Sequence, residues 1–408
     1  MNAMNRAGEH PPNVPIAAAT GGLLLGGSST FLVNLSAALA ARGTRFPVIS
    51  FSESNEHAAD FARAGNLVHC LPASKLIYED RLARAYAELA RYAPSAVLAC
   101  LSAESFEVLR LVPSGVARIG IVQSHDPGPY RLVKMYAPNL DAVVGVSREI
   151  AEHLRAMPEL AGVRIEYVPY GINFNSTLAP RAFDSTQPLR VIYVGRLIEE
   201  QKRVSRLVEL VRMARASSLP AEFTFVGSGP AEAEMRSQLH GVPGVCFTGR
   251  VPNDRVSVLF AEHDVMVLLS DYEGLPLSLL EAMGTGVVPL VSDLPSGMRD
   301  AVPEQCGFRV PVGDICAAQN VLQLLCRERN RLRPLSAESA ALARREFTAG
   351  RMAERYLSLA SALGNAHVVW PPDVMIPAPY GLRPWLYTGL IRTARRWMKP
   401  LLPRRGAA

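Results

Sequence analysis

The chain contains 408 residues, of which 49% are hydrophobic and 20% charged, and this composition excludes a mostly disordered protein. The formal net charge is +6, but seven basic residues lie in the stretch from Tyr380 to the end, which has no acidic residue. The rest of the chain is close to neutral, which disfavours a nucleic-acid-binding protein. Six cysteines without a C-x-x-C pair are too sparse for a disulfide scaffold and predict a reducing compartment.

Residues 1–15 are polar and are predicted to form a flexible N-terminal extension. They lack the apolar stretch of a signal peptide. No uninterrupted apolar run of about 18 residues occurs, so no membrane-spanning helix is predicted. The expected location is the cytoplasm.

The first half of the chain alternates short apolar runs with amphipathic helical patterns. A glycine-rich stretch leads from the first apolar run into a helix that is predicted to end near Arg42. This alternation favours a parallel sheet covered by helices. Strands are predicted at residues 14–20, 47–51, 96–101, 117–123 and 142–146.

A polar joint at residues 184–188 precedes a second series of the same kind. Two doubly wound, Rossmann-like α/β domains are therefore predicted, at residues 16–185 and 186–350. Residues 351–408 would form a C-terminal helix and tail. Strands of the second series are predicted at residues 189–194, 222–226, 264–270 and 287–291, and a further short strand is predicted to end at residue 247. Helices are predicted at residues 204–216 and 253–262, and another is predicted to begin at residue 276.

The most informative segment follows the fourth predicted strand of the second half. It places Glu273 and Glu281 eight residues apart, with Gly274, Leu275 and Pro276 directly after the first glutamate. Gly274 permits close approach of a ligand, and Pro276 suits the first position of a helix whose free amides favour an anion. The Glu281 carboxylate could accept two hydrogen bonds from a ribose diol, and Glu273 could hold hydroxyls of a second sugar. The alternative is a solvated loop acid and an ordinary helix glutamate.

The first predicted strand of the second half ends at Gly195, and two basic residues follow it. Arg196 offers a bidentate fork and Lys202 a point charge, so together they could hold a diphosphate. The alternative is that both form surface ion pairs with Glu199 and Glu200.

Two further strand ends carry weaker signals. Gly227 and Gly229 expose backbone amides that suit a phosphate or a nucleoside, although an ordinary βα turn looks alike. After the next strand, the backbone at Arg250 and Val251 could read the edge of a nucleobase. Arg250 would then stack on the base or be merely solvated.

The first half contributes two candidate positions. Gly27 lies where the first helix opens, and His125 ends a predicted strand just before Asp126. A histidine in that place is a candidate site residue, because its charge changes near neutral pH. The alternative is a hydrogen-bonded structural histidine.

Together these residues resemble glycosyltransferase family 4, a group of retaining transferases with the GT-B fold. The resemblance covers roughly residues 26–347 and is most specific in the E-x7-E pattern of Glu273 and Glu281. It implies two Rossmann-like domains that face a central cleft, with the acceptor on the first domain and the nucleotide sugar on the second. Further support comes from residues 195–197 with Lys202, and from residues 144–147, 168–173 and 227–230.

By that resemblance, Arg196 and Lys202 would neutralise the leaving diphosphate, and Glu281 would hold the ribose. Glu273, with the backbone of residues 274–276, would hold the donor sugar, and His125 would lie near the reacting carbon. The sequence departs from the family at Arg203, where a glycine is common. The donor site would be completed by Gly27, Gly195, Gly227, Gly229, Arg250 and Val251.

No D-x-D pair occurs in the sequence. Fixed cations and a helix start are the available substitutes for a metal ion in stabilising a leaving diphosphate. The hypothesis is therefore a metal-independent transfer that uses no cofactor.

After Gly364 the chain becomes rich in proline. From Trp385 onward, apolar residues recur at helical spacing beside Arg392, Arg395, Arg396 and Lys399. Such a basic amphipathic helix could lie on an anionic membrane, here the inner face of the cell membrane. The alternative is that it packs across the first domain, with its cations solvated.

The sequence thus predicts a retaining glycosyltransferase that moves a sugar from a nucleotide-diphosphate sugar to a hydroxyl of a glycan or lipid-linked acceptor. Synthesis of an envelope polysaccharide or glycolipid is the expected context, and no nucleic acid is expected as a partner. One alternative is a sugar-nucleotide epimerase of the same fold. The other is a non-catalytic protein that binds a nucleotide sugar.

Overall fold

The computed structural model describes residues 14–23, 27–53, 55–72, 76–174, 183, 186–365, 367–372 and 374–377. Residues 1–13 of the predicted extension lie outside the described residues. So do residues 24–26 of the glycine-rich stretch, residues 184–185 of the polar joint, and the predicted amphipathic helix of the tail.

Seven strands form the first sheet, and all of them pair in parallel in the order β3-β2-β1-β4-β5-β6-β7. Strands β1, β4 and β6 are buried at every residue, as expected where helices cover both faces of a parallel sheet. The strands are β1 (Ile16–Thr20), β2 (Val48–Ser50), β3 (Val68–Cys70), β4 (Ala96–Cys100), β5 (Ala117–Val122), β6 (Ala142–Gly145) and β7 (Arg164–Tyr167). The helices are α1 (Gly27–Ala40), α2 (Ala58–Arg63), α3 (Tyr78–Tyr92), α4 (Ala103–Glu107), α5 (Pro127–Tyr136) and α6 (Arg148–Arg155).

Six strands form the second sheet, again all parallel, in the order β10-β9-β8-β11-β12-β13. The strands are β8 (Leu189–Val194), β9 (Ala221–Val226), β10 (Val245–Gly249), β11 (Val265–Leu268), β12 (Val288–Ser292) and β13 (Phe308–Val310). The helices are α7 (Glu199–Lys202), α8 (Val204–Ala216), α9 (Glu232–Gln238), α10 (Asn253–Ala261), α11 (Leu277–Gly284), α12 (Gly297–Ala301), α13 (Ile315–Arg327), α14 (Leu332–Glu346) and α15 (Ala349–Leu363).

The predicted strands agree with the observed ones to within about two residues. Three strands were not predicted: β3, β7 and β13. Each lies at the edge of its sheet, spans three or four residues and is partly exposed. An edge strand buries too little surface to require the continuous apolar run that marks a central strand of a parallel sheet.

Several contacts join the two halves of the molecule. Helix α1 contacts α11, and the backbone at Ile172 pairs with Thr348. A Cβ added at Gly274, in the loop after β11, would lie 1.9 Å from the carbonyl oxygen of Gln123, at the end of β5. The carboxyl ends of the two sheets therefore face each other across a cleft, as predicted.

The C-terminal helix α15 crosses back to the first sheet, where it packs against α1 and β1. The segment after it stays on the same side, since the Tyr86 hydroxyl donates to the carbonyl of Pro371 at 2.7 Å and its ring lies 5.6 Å from that of Trp370. The predicted amphipathic helix lies beyond the described residues, so both of its interpretations remain predictions. Within the described part of the chain, no helix combines the length and the hydropathy needed to cross a bilayer.

Candidate functional site

The second sheet has its topological switch point between β8 and β11, the two central strands whose connections lead to opposite sides. Ligands of doubly wound sheets bind beyond the carboxyl ends of the strands at this point. Gly195 and Arg196 follow β8, and Glu273 and Gly274 follow β11 by a few residues. The fold thus brings the two strongest sequence signals to the same place.

Glu273 is held by three side chains and is 5% exposed. Lys202 Nζ donates to Glu273 Oε1 at 2.5 Å, and Ser270 Oγ donates to the same oxygen at 2.7 Å. Gln201 Nε2 donates to the other oxygen at 3.3 Å. The alternative reading from the sequence, a surface pair between Lys202 and Glu199 or Glu200, is wrong. Lys202 is the last residue of the short helix α7 and contacts the loop after β11 instead.

A second ion-pair group anchors the same two loops. Arg203 Nε lies 2.5 Å from Asp271 Oδ2, and Arg206 lies 2.6 Å from the other oxygen of this carboxylate. Partial burial acts to raise the pKa of Asp271, but the hydrogen bonds from both arginines outweigh it and lower this pKa. Arg203 itself has φ +46°, the left-handed conformation that favours glycine. Arg203 thus adopts a backbone conformation that favours glycine, while its side chain forms an ion pair with Asp271.

Arg196 is exposed in the cleft-facing loop. Its carbonyl accepts a hydrogen bond from the Tyr193 hydroxyl at 2.8 Å, which fixes the backbone. Within the described part of the chain its guanidinium has neither an ion pair nor a hydrogen bond. Its five N–H donors are therefore available to a ligand.

The glycines of the turn after β9 are required by packing between loops. A Cβ at Gly227, whose φ is +131°, would lie 2.0 Å from the Gly195 carbonyl oxygen, and one at Gly229 would lie 2.2 Å from that of Leu197. The turn consequently lies directly against the Arg196 loop. The sequence also predicted that the backbone amides of these glycines bind a phosphate or a nucleoside, and this remains a prediction.

The end of β10 joins the same group of loops. Gly227 N–H donates to the carbonyl of Gly249 at 2.9 Å. Arg250 is exposed beyond this bond, and Val251 packs in part against the apolar core. The predicted base-reading residues thus adjoin the Gly227 turn.

Helix α11 carries Glu281 and begins at Leu277, so Pro276 precedes the helix instead of occupying its first position. Burial raises the pKa of Glu281 to about 7. Its carboxylate has no hydrogen-bond or ion-pair partner among the described residues. The two oxygens of this carboxylate can therefore accept hydrogen bonds from a diol, as predicted for a ribose.

His125 lies on the first half of the molecule, two residues after Gln123. The Tyr130 hydroxyl hydrogen bonds to its Nδ1 at 2.9 Å, and the ring of His153 lies 6.3 Å away. Burial and the nearby His153 lower the pKa of His125, which favours the neutral form of its ring. The histidine is hydrogen-bonded, as in the structural alternative, and it also adjoins the contact between Gln123 and Gly274.

Gly27 opens α1 and is exposed, and a Cβ there would meet no described atom within 4 Å. Its place is across the cleft from the loops of the second half, since α1 contacts α11. No group of three or more histidine, cysteine, aspartate or glutamate side chains that could hold a metal ion occurs among the described residues.

Sequence reasoning missed four residues that shape this site. Ser270 and Gln201 hold Glu273, and the Gly297 N–H donates to the Gly274 carbonyl at 2.7 Å. Gln123 meets Gly274 from the other half. Ser270 could have been found from the sequence, because it lies only three positions before Glu273. The other contacts join residues far apart in the chain.

Two facing doubly wound sheets of this topology define the GT-B class of proteins. The chain superposes with a TM-score of 0.69 on the Anabaena protein HepE crystallised with UDP-glucose, covering 85% of this chain and 100% of that one at 13% identity. At such identity the likeness concerns the fold.

Sequence comparison gives the family. The profile described as "Glycosyltransferase Family 4" matches residues 25–176, and the one described as "Glycosyl transferases group 1" matches residues 188–327. The chain belongs to the glycosyltransferase family that these two profiles describe, which confirms the resemblance found in the sequence.

Among curated relatives, a sulfoquinovosyl transferase of Arabidopsis thaliana is 33% identical over 143 residues, or 34% of this chain and 27% of that protein. An amylovoran biosynthesis glycosyltransferase of Erwinia amylovora is 29% identical over 171 residues, or 40% of this chain and 42% of that protein. The chain thus spans less than half the length of these relatives.

Proposed function

We propose that this protein is a retaining glycosyltransferase that moves a sugar from a nucleotide-diphosphate sugar to a hydroxyl acceptor. The observation that carries the proposal is the arrangement of Arg196, Lys202 and Glu273 at the switch point of the second sheet. There the Arg196 guanidinium, which has no partner among the described residues, and a buried Lys–Glu pair lie beside the loop that meets the first half. The HepE structure with UDP-glucose supports a nucleotide sugar as the donor.

The chemistry follows from the charges. Breaking a glycosyl–phosphate bond leaves negative charge on the diphosphate and an electron-poor anomeric carbon. Arg196 would bind the diphosphate through the N–H donors of its guanidinium. Lys202, which uses one N–H for Glu273, would contribute its remaining two. Because these cations are fixed before the reaction, they would stabilise the departing charge at little cost of reorganisation.

Glu273 and Glu281 would position the rest of the donor. The fixed Glu273 carboxylate would accept hydrogen bonds from the sugar, beside the buried backbone of Gly274 and Leu275. Glu281 would accept from both ribose hydroxyls. Neutral His125 would lie next to the sugar on the acceptor side.

We further propose that the transfer needs no metal ion, because Arg196 and Lys202 supply the positive charge on the diphosphate. The acceptor would be a glycan or a lipid-linked precursor. The relative from Erwinia amylovora, whose name refers to amylovoran biosynthesis, supports a role in polysaccharide synthesis.

The test is a time-resolved measurement of nucleoside diphosphate release from a panel of nucleotide sugars, with and without acceptors, in excess chelator. Acceptor-dependent release is expected, and NMR of the product should show the donor's anomeric configuration. Release without any transfer product would indicate the epimerase alternative. Tight binding without turnover would indicate a non-catalytic binding protein. Activity that chelator abolishes and Mg²⁺ or Mn²⁺ restores would contradict metal independence.

A further inference from the structure

A cavity of about 500 Å³ opens in the first half of the molecule, outside the proposed nucleotide site. Its size falls within the roughly 300–1,000 Å³ typical of small-molecule sites. It lies at the carboxyl ends of β4 and β5 and is closed on the sides by α4 and α5. This is the edge of the first sheet that faces the cleft.

Five large apolar side chains line the cavity: Leu101, Phe106, Ile121, Leu132 and Met135. Leu101 is 43% exposed and Met135 is 37% exposed, although both are large hydrophobic residues. Leu101 also has φ +70°, a conformation that costs a non-glycine residue about 1–2 kcal/mol. A strained, exposed leucine at the mouth of an apolar cavity is the arrangement expected where a ligand covers it.

The mouth of the cavity also carries an available positive charge. Arg131 lines it and is exposed, and in the described part of the chain its guanidinium has no ion-pair partner. Asp126, the acidic residue of the lining, is the N-cap of α5 and accepts from the Gly128 N–H at 3.2 Å. An anion at the rim would therefore meet Arg131.

The cavity adjoins the loop that would hold the donor sugar. Gln123 and Ser124 line it, and the Gln123 carbonyl is the atom that a Cβ at Gly274 would approach to 1.9 Å. Glu273 precedes that glycine in the chain. A molecule bound in the cavity would thus reach the place where the sugar is transferred.

We propose that this cavity binds the aliphatic chain of an amphiphilic acceptor whose phosphate group pairs with Arg131. The inference rests on the proposed transferase function and specifies its acceptor class. The acceptor hydroxyl would be presented towards Glu273 and His125 while the chain is held between α4 and α5.

The test is calorimetric titration of the full-length protein with hexyl phosphate, methyl phosphate and hexanol, each below its aggregation concentration. One buried methylene contributes about 0.8 kcal/mol, or roughly a fourfold gain in affinity. Hexyl phosphate should therefore bind at least about tenfold more tightly than methyl phosphate, even if half of its added methylenes are buried. It should also bind about tenfold more tightly than hexanol, because hexanol lacks the charge-assisted bond to Arg131.

Two variants with matched controls locate the site. Arg131→Gln should remove the advantage of the phosphate, and Met135→Glu should remove the dependence on chain length. The controls are Arg84→Gln, at an exposed arginine of α3, and Met375→Glu, at a methionine that is 88% exposed outside the cavity. Both controls should bind hexyl phosphate like the wild type.

Equal affinities for hexyl and methyl phosphate, or equal losses in the control variants, would overturn the inference. Tighter binding of phenyl phosphate than of hexyl phosphate would also overturn it, by showing that the occupant is aromatic. A separate titration with nucleotide sugars distinguishes the two proposals. If nucleotide sugars bind and alkyl phosphates do not, the acceptor inference fails and the transferase proposal stands.

Discussion

Lys202 Nζ lies 2.5 Å from Glu273 Oε1, and this ion pair ties the loop after β8 to the loop after β11. The two side chains are 14% and 6% exposed, so the pair is largely shielded from water. Removing one partner of a buried pair leaves the other as an unpaired buried charge, which costs about 3–5 kcal/mol. In the same site, the Arg196 guanidinium has no such bond to any described residue. The two cations should therefore respond differently to mutation.

The variants Arg196→Ala and Lys202→Ala should separate catalysis from stability. Each should lower turnover by on the order of 10²-fold, like the loss of one donor to a developing negative charge. Arg196→Ala should leave the free energy of unfolding within about 0.5 kcal/mol of the wild type. Lys202→Ala should lower it by about 3 kcal/mol, since Ser270 and Gln201 still hold Glu273. Chemical denaturation and steady-state kinetics measure both effects.

The double variant Lys202→Ala, Glu273→Gln serves as the control, because it removes the unpaired charge. It should recover most of the stability and none of the activity. Near wild-type turnover in both single variants would contradict the diphosphate role.

Arg203 has a left-handed backbone conformation. A glycine variant should therefore be more stable than an alanine variant at this position, the reverse of their usual order within a helix. Both substitutions remove the ion pair with Asp271, but alanine keeps the backbone strain that glycine relieves. Arg203→Gly should therefore be more stable than Arg203→Ala by about 1 kcal/mol in urea unfolding. The matched control is Arg212, an exposed residue of α8. There the alanine variant should be more stable than the glycine variant by about 1 kcal/mol. The same order at both sites would show that Arg203 is not strained.

Stability should depend on pH through Glu281. Its pKa is raised from 4.5 to about 7 in the folded protein, so between these values the folded state retains a proton that the unfolded state has lost. The free energy of unfolding should therefore fall as pH rises through this window, by at most about 1.4 kcal/mol per pH unit. Glu281→Gln should remove this component. Identical pH profiles for the variant and the wild type would contradict it.

Donor binding should be linked to the same proton. A ribose diol donates to the ionised carboxylate, so affinity for a nucleotide sugar should increase as pH rises through 7. At pH 7 binding should release up to roughly half a proton. Calorimetry in two buffers of different ionisation enthalpy measures this release, which Glu281→Gln should abolish. A nucleotide sugar is the suitable ligand because its diphosphate has no terminal phosphate that titrates near neutral pH.

Gly274→Ala should obstruct the approach of the two halves, because its Cβ would lie 1.9 Å from the Gln123 carbonyl oxygen. A displacement of about 1 Å at a reacting centre can cost on the order of 10²-fold in rate. We expect a loss of that size in turnover, with nucleotide affinity changed only a few-fold. Gly350→Ala is the control, since its Cβ has its nearest neighbour at 3.7 Å. Wild-type turnover in Gly274→Ala would show that this contact does not form during catalysis.

The sequence predicted the central strands well because they are buried on both faces. Strand β8 was predicted with its observed ends, and β4 and β5 to within one residue. Strand β3, by contrast, is partly exposed at every residue and leaves no apolar run to detect. The Glu273–Glu281 pattern located the site because its residues lie close in the chain. The cavity beside α4 and α5 left no such pattern.

By itself the sequence determined the two sheets, the family and the loops that carry the site, because local hydrophobic periodicity and short motifs encode them. Only the tertiary structure decided which charges are paired. It joined Lys202 to Glu273, left the side chains of Arg196 and Arg131 without partners among the described residues, and brought Gly274 against Gln123. Such pairings depend on distances between residues far apart in the chain. They are set when the sheets form and the two halves pack together, and no local pattern records them.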